Sequence, residues 1–320
     1  MQTVRKAVIT AAGKGTRQYP ASTTVQKEML PLVDVDGITK PTIQIICEEA
    51  INSGIQEICI ITNPDVDEQM RRHFRPLSAE RLPSFAGKEW ALKQSEKLAD
   101  LEQRLTFVMQ EKPEGYGHAV FQAREFVGGE PFLLLLGDHV YISRNDRPCA
   151  RQVIDVFNVC RCSVSAVIPT PEHLLHLFGT IAGERISSDP DVYEVNLITE
   201  KPDLEFAEER LRVDTIRRGY YLCFFGPHVF TPGIFEALED QISGDVRERG
   251  EIQLTSAQEL LRTRERYVAF VARGERYDMG VPFGFVETQM GLALNSPFRD
   301  QVLASLIRSL AKNVPGEQLW

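Results

Sequence analysis

Alternating apolar and mixed stretches divide the first part of the chain into strands and helices. Val4–Thr10 is a β-branched run that predicts a strand. Pro41–Ser53 repeats apolar residues at helical spacing, with Pro41 suited to the first helical position and Gly54 typical of a helix end. Glu57–Thr62 is strand-like again. This strand–helix–strand order predicts a parallel sheet with right-handed crossovers.

The middle of the chain contains a buried strand that ends beside an acidic residue. Residues 75–105 are charged and helical in character, and they predict an insertion outside the sheet. Phe132–Leu136 is a continuous apolar run, as expected for a strand buried on both faces, and Gly137–His139 follows at once. Three further elements are predicted here, namely strands Leu105–Met109 and Ser163–Ile168 and a helix Gly117–Phe126.

The second half of the chain is richer in strand patterns. The predicted strands are Gly179–Ala182, Val192–Thr199, Gly219–Phe225 and Tyr267–Ala272, and the predicted helices are Pro232–Gln241, Glu251–Thr263, Pro282–Leu294 and Arg299–Ala311. Together with the first half, they predict an α/β fold with a mixed, mostly parallel Rossmann-like sheet, flanking helices and a small β-rich part. Neither a repeat nor a flexible linker interrupts the pattern, so we expect a single domain over residues 1–320.

Composition and charge narrow the class of protein. With 43% hydrophobic and 25% charged residues, the 320-residue chain is expected to be globular. Its apolar runs fall short of the roughly 18–20 residues of a membrane helix, and the N-terminus predicts a strand and not a secretory signal. Its six cysteines form no C-x-x-C pair, which favours reduced thiols and a cytoplasmic location. A net charge of -9 disfavours nucleic acid but permits a local basic pocket for a small anion.

A glycine-containing loop after the first strand is the first candidate for chemistry. Gly13 and Gly15 allow a ligand close to the backbone, whose amides can form an anion-binding nest. Arg17 adds a guanidinium fork suited to phosphate, and Lys27 follows ten residues later. The spacing fits neither a P-loop nor the dinucleotide fingerprint. Taken alone, the loop also fits a tight connection, and Lys27 also fits a solvated lysine.

Polar residues at predicted strand ends extend the candidate site. Asp138 follows the buried strand at its carboxyl end, where open α/β sheets bind ligands, and a carboxylate with substrate phosphates is a usual way to hold Mg²⁺. Both Asp138 and Asp278 also fit turn or cap positions. Gln110 offers the donor and the acceptor that a pyrimidine edge requires. His118 is better explained by packing than as a general base.

Taken in order, these segments resemble the sugar-nucleotide pyrophosphorylases, and most closely the bacterial UTP–glucose-1-phosphate uridylyltransferases. The similarity extends over about residues 4–295, and its motifs are Ala11–Pro20, Lys27–Pro31, Gln110–Ala119, Phe178–Ile181, Glu200–Pro202, Gly219–Tyr221 and Gly250–Thr255. It implies a glycosyltransferase-A-like fold, with a mainly nucleotide-binding part over residues 1–140, a mainly sugar-binding part over 141–295 and a C-terminal helix over 296–320. It also favours a homo-oligomer.

The resemblance also implies roles for individual residues. Those expected at the nucleotide are Ala11, Ala12, Gly13, Gly15, Thr16, Arg17, Lys27, Gln110 and Gly115. Those expected at the sugar phosphate are Gly179, Glu200, Lys201 and Gly219. Asp138 and Asp278 are the expected ligands of Mg²⁺. The residues expected to take part in catalysis are Arg17, Lys27, Asp138 and Lys201.

The reaction that the resemblance implies is Mg²⁺-dependent, in-line transfer of a uridylyl group. UTP and glucose 1-phosphate, or a related sugar 1-phosphate, would give the UDP-sugar and pyrophosphate. Two residues depart from the pattern: Gln26 replaces a usual proline, and His139 replaces a usual second aspartate. Another triphosphate (dTTP, CTP or GTP) or another sugar therefore stays open, as does a silent homologue that only binds nucleotide sugar. Retention of the charged residues favours an active enzyme.

Overall fold

The structure is a computed structural model that describes residues 3–313. Its strands are β1 Lys6–Thr10, β2 Pro31–Val33, β3 Thr39–Pro41, β4 Glu57–Thr62, β5 Leu105–Met109, β6 Phe132–Leu136, β7 His139–Ser143, β8 Ser163–Pro171, β9 Gly179–Ser188, β10 Asp191–Glu200, β11 Tyr220–Phe230, β12 Tyr267–Val271 and β13 Gly274–Asp278. Its helices are α1 Thr42–Asn52, α2 Asp67–Phe74, α3 Glu89–Glu102, α4 Tyr116–Phe121, α5 Arg124–Val127, α6 Cys149–Cys160, α7 Leu204–Arg210, α8 Gly233–Ser243, α9 Leu254–Arg264, α10 Pro282–Leu294 and α11 Arg299–Asn313.

One nine-stranded sheet, in the order β5-β4-β1-β6-β11-β8-β12-β10-β9, contains most of the strands. The first four are parallel neighbours, as the strand–helix–strand pattern predicts. β11 runs antiparallel to both β6 and β8. β8 and β12 are parallel, whereas β10 is antiparallel to β12 and β9. The predicted mixed, mostly parallel α/β fold is confirmed.

The central strands are apolar on both faces because helices cover both faces of the sheet. In β6, Leu133 and Leu135 belong to one apolar layer, with Ile43 of α1 and Val153 of α6. Leu134 belongs to the opposite layer, whose members include Val120 of α4 and Ile234 of α8. Burial on both sides explains why Phe132–Leu136 lacks alternation. The parallel pairing of β1 with β6 brings the carboxyl ends of both strands to one edge of the sheet.

Two of the predicted helices were wrong in extent. The region predicted as one helix over Gly117–Phe126 contains α4 and α5, because the chain tightens where the Ala123 amide donates to Val120 O. The helix predicted from Glu251 begins only at Leu254. Residue 252 is held extended, since the Ile252 amide donates to Glu114 O at 2.9 Å. Glu251 therefore precedes the helix by three residues.

The start and the end of α1 follow from its flanking residues. Pro41 is the N-cap and not the first helical residue, so the helix begins one position later than predicted, at Thr42. Gly54 follows the C-cap with a φ of +96°, a left-handed conformation that favours glycine, so the predicted stop is confirmed.

Seven elements were not predicted from the sequence, namely β2, β3, α2, β7, α6, α7 and β13. β7 and β13 form a separate antiparallel pair in which Asp278 lies opposite His139. This pairing joins two segments that are about 140 residues apart in the chain, and it builds one wall of the candidate site.

A buried cation lies immediately before α1. Lys40 is only 2% exposed, and its Nζ lies 2.6 Å from Asp34 Oδ2 and 2.8 Å from both Asp36 Oδ2 and Glu48 Oε2. Lys40 therefore joins β3 to α1 through Glu48 and to the turn between β2 and β3 through Asp34 and Asp36.

The C-terminal helix α11 includes the predicted Arg299–Ala311. Residues 314–320 of the predicted C-terminal part lie outside the described residues. Within residues 3–313, none of the helices has the length and apolar character needed to cross a membrane.

Candidate active site

A cavity of about 500 Å³ opens where β1 and β6 end. Eight of the residues predicted at the nucleotide, the metal or the reacting groups line it, namely Ala12, Gly13, Thr16, Arg17, Lys27, Gln110, Gly115 and Asp138. Ala11 is fully buried behind this lining, and its amide donates to Ile61 O at 2.8 Å. Gly15 lies beneath it with a φ of +61°, against the Lys27 stem.

A short helical turn, Lys27–Met29, presents Lys27 to the glycine loop. A methyl group at Gly13 would lie 3.4 Å from Lys27 Nζ, so a side chain at this position would contact the amine. The buried Gln26 amide donates to Gly13 O. Gln26, which departs from the usual proline, therefore ties the turn to the loop through a side-chain hydrogen bond.

Lys27 and Asp138 form the charged centre of the cavity. Lys27 Nζ lies 2.6 Å from Asp138 Oδ2. Burial opposes ionisation of Asp138, but the Lys27 charge outweighs it and lowers the aspartate pKa to about 2. Burial likewise opposes the charge on Lys27, and Asp138 with Glu28 outweighs it and raises the lysine pKa. Both groups are therefore charged at neutral pH.

Glu28 is an acidic neighbour to which the sequence assigned no role. Its Oε1 lies 3.7 Å from Lys27 Nζ, and its Oε2 is buried with no hydrogen-bond partner among the described residues. Burial raises the pKa of Glu28 to about 8, against the opposing effect of Lys27. The motif around Lys27 already contained this glutamate, but only its burial shows that it belongs to the centre.

Three side chains at the β7–β13 pair offer ligands to a metal ion. Atoms of Asp138, His139 and Asp278 all lie within 4.8 Å of one another. His139 Nε2 is 3.7 Å from Asp278 Oδ1, and His139 Nδ1 is buried with no hydrogen-bond partner among the described residues. Two carboxylates and an unsatisfied imidazole nitrogen fit the donor set of a divalent metal.

Gly280 leaves space at this group and was not predicted. Its amide donates to Asp278 Oδ1 at 2.7 Å. A methyl group there would lie 2.8 Å from Asp278 Oδ1, 2.9 Å from Asp138 Oδ2 and 3.0 Å from Arg17 Nη2. These distances show that Arg17 and the two aspartates converge on one point. The glycine two residues after Asp278 was the available signal in the sequence.

Gln110 lies at the other end of the cavity and is nearly fully buried. Its Nε2 is 3.0 Å from His118 Nδ1 and 3.3 Å from Gly115 O. Gly115 has a φ of +121°, and a side chain there would meet Ile252 O at 2.7 Å. Because His118 is held between Gln110 and Gln122, its geometry fits packing and not a base.

Of the four residues predicted at the sugar phosphate, three lie close together and one lies apart. Lys201 Nζ lies 3.1 Å from Glu200 Oε1, and Glu200 Oε2 accepts from Thr255 Oγ1 at 2.6 Å. A methyl group at Gly179 would lie 3.2 Å from Glu200 Oε2, so this glycine shares the site. Gly219 lies apart, before β11, where it lines a different cavity of about 230 Å³.

Two unpredicted residues support this group. Thr255, which lies within a quoted motif, orients Glu200 through the hydrogen bond above. The guanidinium of Arg276 lies 4.1 Å from the centre of the Phe178 ring and donates to Phe224 O at 2.7 Å. Nothing in the sequence around Arg276 indicated this position.

The mixed sheet, the glycine loop with its two cations and the acidic pair define a nucleotidyltransferase. In agreement, the family described as nucleotidyl transferase matches residues 6–294. The chain belongs to this family of enzymes.

Individual relatives are similar over nearly the whole chain. The chain is 38% identical over 314 residues to a UTP–glucose-1-phosphate uridylyltransferase of Streptococcus pneumoniae, covering 97% of each chain. It is 37% identical over 305 residues to that of Bacillus subtilis, covering 95% of this chain and 96% of the relative. These similarities confirm the resemblance found in the motifs.

Solved structures show the same fold. A UDP-glucose pyrophosphorylase complexed with UDP-glucose matches with a TM-score of 0.72 at 28% identity, over 90% of this chain and 97% of that one. A UTP-bound enzyme from Acinetobacter baumannii matches with a TM-score of 0.75 at 25% identity, over 96% of this chain and all of the other.

Proposed function

We propose that this protein transfers a uridylyl group from UTP to glucose 1-phosphate, giving UDP-glucose and pyrophosphate. The observation that carries the proposal is the convergence of Arg17, Asp138 and Asp278 on one point beside Lys27. Relatives at 36–38% identity are named for this reaction, and a matching structure contains UDP-glucose. The substrates of the relatives are the basis for choosing this base and sugar.

The proposed chemistry is a single in-line displacement. A phosphate oxygen of glucose 1-phosphate forms a bond to the α-phosphorus of UTP, while the bond from that phosphorus to the β-phosphate bridging oxygen breaks. Pyrophosphate leaves with the electron pair of the broken bond. The attacking phosphate oxygen is already anionic, so no proton has to be removed from it. Positioning and charge neutralisation therefore account for most of the catalysis.

Each charged side chain has a proposed task. Arg17 binds the triphosphate through its guanidinium fork, and Lys27 stabilises the charge that develops near the α-phosphorus. Lys201 binds the phosphate of the sugar, while Glu200, fixed by Thr255, accepts from sugar hydroxyls. Gln110 and Gly115 face the base.

We propose Mg²⁺ as the metal, held by Asp138 and Asp278. The fit rests on the convergent donor atoms and on the open space that Gly280 preserves between them. The ion would supply positive charge to the phosphates of both substrates. His139 adds a nitrogen donor that a purely carboxylate site lacks.

Release of pyrophosphate tests the function directly. The purified protein should release pyrophosphate with UTP and glucose 1-phosphate, and more slowly with dTTP, CTP or GTP. Other sugar 1-phosphates test the acceptor in the same way. A faster reaction with another pair would replace the proposed substrates, and a lack of release with every pair would favour a silent nucleotide-sugar-binding protein.

Replacing Lys201 by alanine should raise the KM for glucose 1-phosphate by about tenfold, because one charge-assisted hydrogen bond is lost. The KM for UTP should change little. Initial rates at varied concentrations of each substrate would separate the two effects. Lys93→Ala, at an exposed position on α3, is the matched control. An unchanged KM for the sugar phosphate would contradict the role of Lys201.

Replacing His139 by aspartate should shift the metal preference towards Mg²⁺. Imidazole nitrogen suits Mn²⁺ better than it suits Mg²⁺, so the ratio of Mn²⁺ to Mg²⁺ affinity should fall by about tenfold. Competition titrations followed by the Mn²⁺ EPR signal would measure it without turnover. His173→Asp, at an exposed histidine, serves as the control. An unchanged ratio would show that His139 is not a ligand.

Three other expectations stay predictions. They are the single domain over residues 1–320 with its nucleotide and sugar parts, the homo-oligomer and the cytoplasmic location. Exposed apolar side chains support the homo-oligomer, since Phe283 on α10 and Leu310 on α11 are 81% and 69% exposed.

A further inference from the structure

A second cavity, of about 700 Å³, lies between α2, α3 and the segment that joins them. Its size falls within the range of small-molecule sites, which is about 300–1,000 Å³. Apart from Met29, its lining is drawn from residues 69–98, that is, from α2 and from the insertion over residues 75–105 that the sequence places outside the sheet. It shares no lining residue with the cavity of the active site.

The charge of this cavity is opposite to that of the chain. Arg72, Arg75 and Arg81 line it, and none of the described residues in the lining is acidic, although the net charge of the protein is -9. None of the three guanidinium groups forms an ion pair with a described residue, whereas the adjacent Arg71 pairs with Asp67 at 2.6 Å. Three unpaired cations at one cavity favour an anionic ligand, and guanidinium groups match phosphate best.

The other walls are aromatic and polar. Phe85 and Trp90 line the cavity, and Trp90 is 55% exposed, which is unusual for so large an apolar side chain. Gln94 Oε1 is buried in the same wall and has no hydrogen-bond partner among the described residues. An exposed aromatic face provides a surface for stacking, and the free carbonyl requires an N–H or O–H donor.

We infer that this cavity is a second nucleotide site, which takes a ligand with an aromatic base and a diphosphate. The phosphates would contact the three arginines, the base would stack on Trp90, and a donor on the base or ribose would satisfy Gln94. Free pyrophosphate offers only the first of these interactions, and an uncharged nucleoside offers only the other two.

One residue connects this site to the catalytic one. Met29 lines the second cavity and ends the turn that carries Lys27, and its amide donates to Gln26 O at 2.8 Å. A ligand in the second cavity therefore rests against the turn that presents Lys27. Occupancy of the second cavity therefore changes both the catalytic rate and the binding of substrate at the active site.

Trp90 provides a local reporter, because the chain contains only two tryptophans, Trp90 and Trp320. In a Trp320→Phe background, UDP should change the Trp90 fluorescence, and uridine and pyrophosphate should bind at least about tenfold more weakly. Calorimetry should give two UDP per chain. The combined Arg72→Gln, Arg75→Gln and Arg81→Gln substitutions should leave one UDP per chain and weaken the Trp90 response at least about tenfold. The control substitution Lys93→Gln should preserve the two UDP per chain and the Trp90 response.

The pattern of inhibition by UDP gives a further measurement, which would not change if the three arginines had only a structural role. UDP should inhibit the wild-type enzyme with a mixed pattern against UTP and the triple variant with a purely competitive pattern. An unresponsive Trp90, or a triple variant that binds UDP like the wild type, would overturn the second site. Pyrophosphate binding as tightly as UDP would overturn its assignment to a nucleotide. Because the Trp90 response needs neither turnover nor a nucleotide in the active site, these outcomes are independent of the proposed reaction.

Discussion

Replacing Asp138 by asparagine is expected to lower kcat by about 10²-fold or more, on the scale of losing one electrostatic stabiliser. The structure gives the reason, because this carboxylate contacts Lys27 at 2.6 Å and lies with His139 and Asp278 at the candidate metal group. Asparagine keeps the shape but removes the charge, so Lys27 loses its partner and a metal loses a ligand. Steady-state pyrophosphate release at saturating substrates measures the effect.

The pH dependence of stability gives a second measure for the same residue. The folded-state pKa of Asp138 is lowered from 3.8 to about 2. Its ionised form therefore stabilises the fold above about pH 4, and this contribution is lost as the pH falls towards 2. The asparagine variant should lack it. Asp189→Asn, at an exposed aspartate, is the control for both measurements, and near wild-type turnover of Asp138→Asn would remove Asp138 from the mechanism.

Replacing Lys40 by alanine should lower the free energy of unfolding by about 3–5 kcal/mol, the usual cost of breaking a buried ion pair. Lys40 is 2% exposed and is the shared partner of Asp34, Asp36 and Glu48. Its loss leaves at least Asp34, whose side chain is 9% exposed, as an uncompensated buried charge. Urea unfolding followed by circular dichroism would measure the change.

A matched surface pair shows whether burial is the cause. Arg266 and Glu194 lie 2.9 Å apart, and both side chains are nearly half exposed. Arg266→Ala should therefore cost no more than about 1 kcal/mol. Equal losses in the free energy of unfolding for Lys40→Ala and Arg266→Ala would show that burial does not increase the contribution of the Lys40 cluster to stability.

Elements that are buried on both faces were the most predictable from the sequence. The strand Phe132–Leu136 was predicted from its continuous apolar run, which arises because helices cover both of its faces. β13 could not be found in this way, since Glu275 and Arg276 interrupt any apolar alternation and the strand pairs only with β7. α6 does carry a signal in the sequence, because Val153, Val156 and Phe157 lie at helical spacing.

The candidate site was predictable where a motif lies next to a strand end. Gly13, Arg17 and Asp138 follow β1 and β6, so parallel pairing brings them to one edge. The contact of Lys27 with Asp138 spans 111 residues, and no local pattern encodes it. The space at Gly280 likewise depends on the pairing of β7 with β13.

The antiparallel strand β11 has a mechanical consequence. It is hydrogen-bonded to β6, which ends at the cavity of the candidate active site, and to β8 and β9. These strands are therefore joined through one sheet and not through a flexible linker. The ladder is interrupted between Phe224 and His228, where Gly226 has a φ of +130°. If the cleft closes around two substrates, we expect the sheet to bend at this bulge, because the ladder is interrupted there.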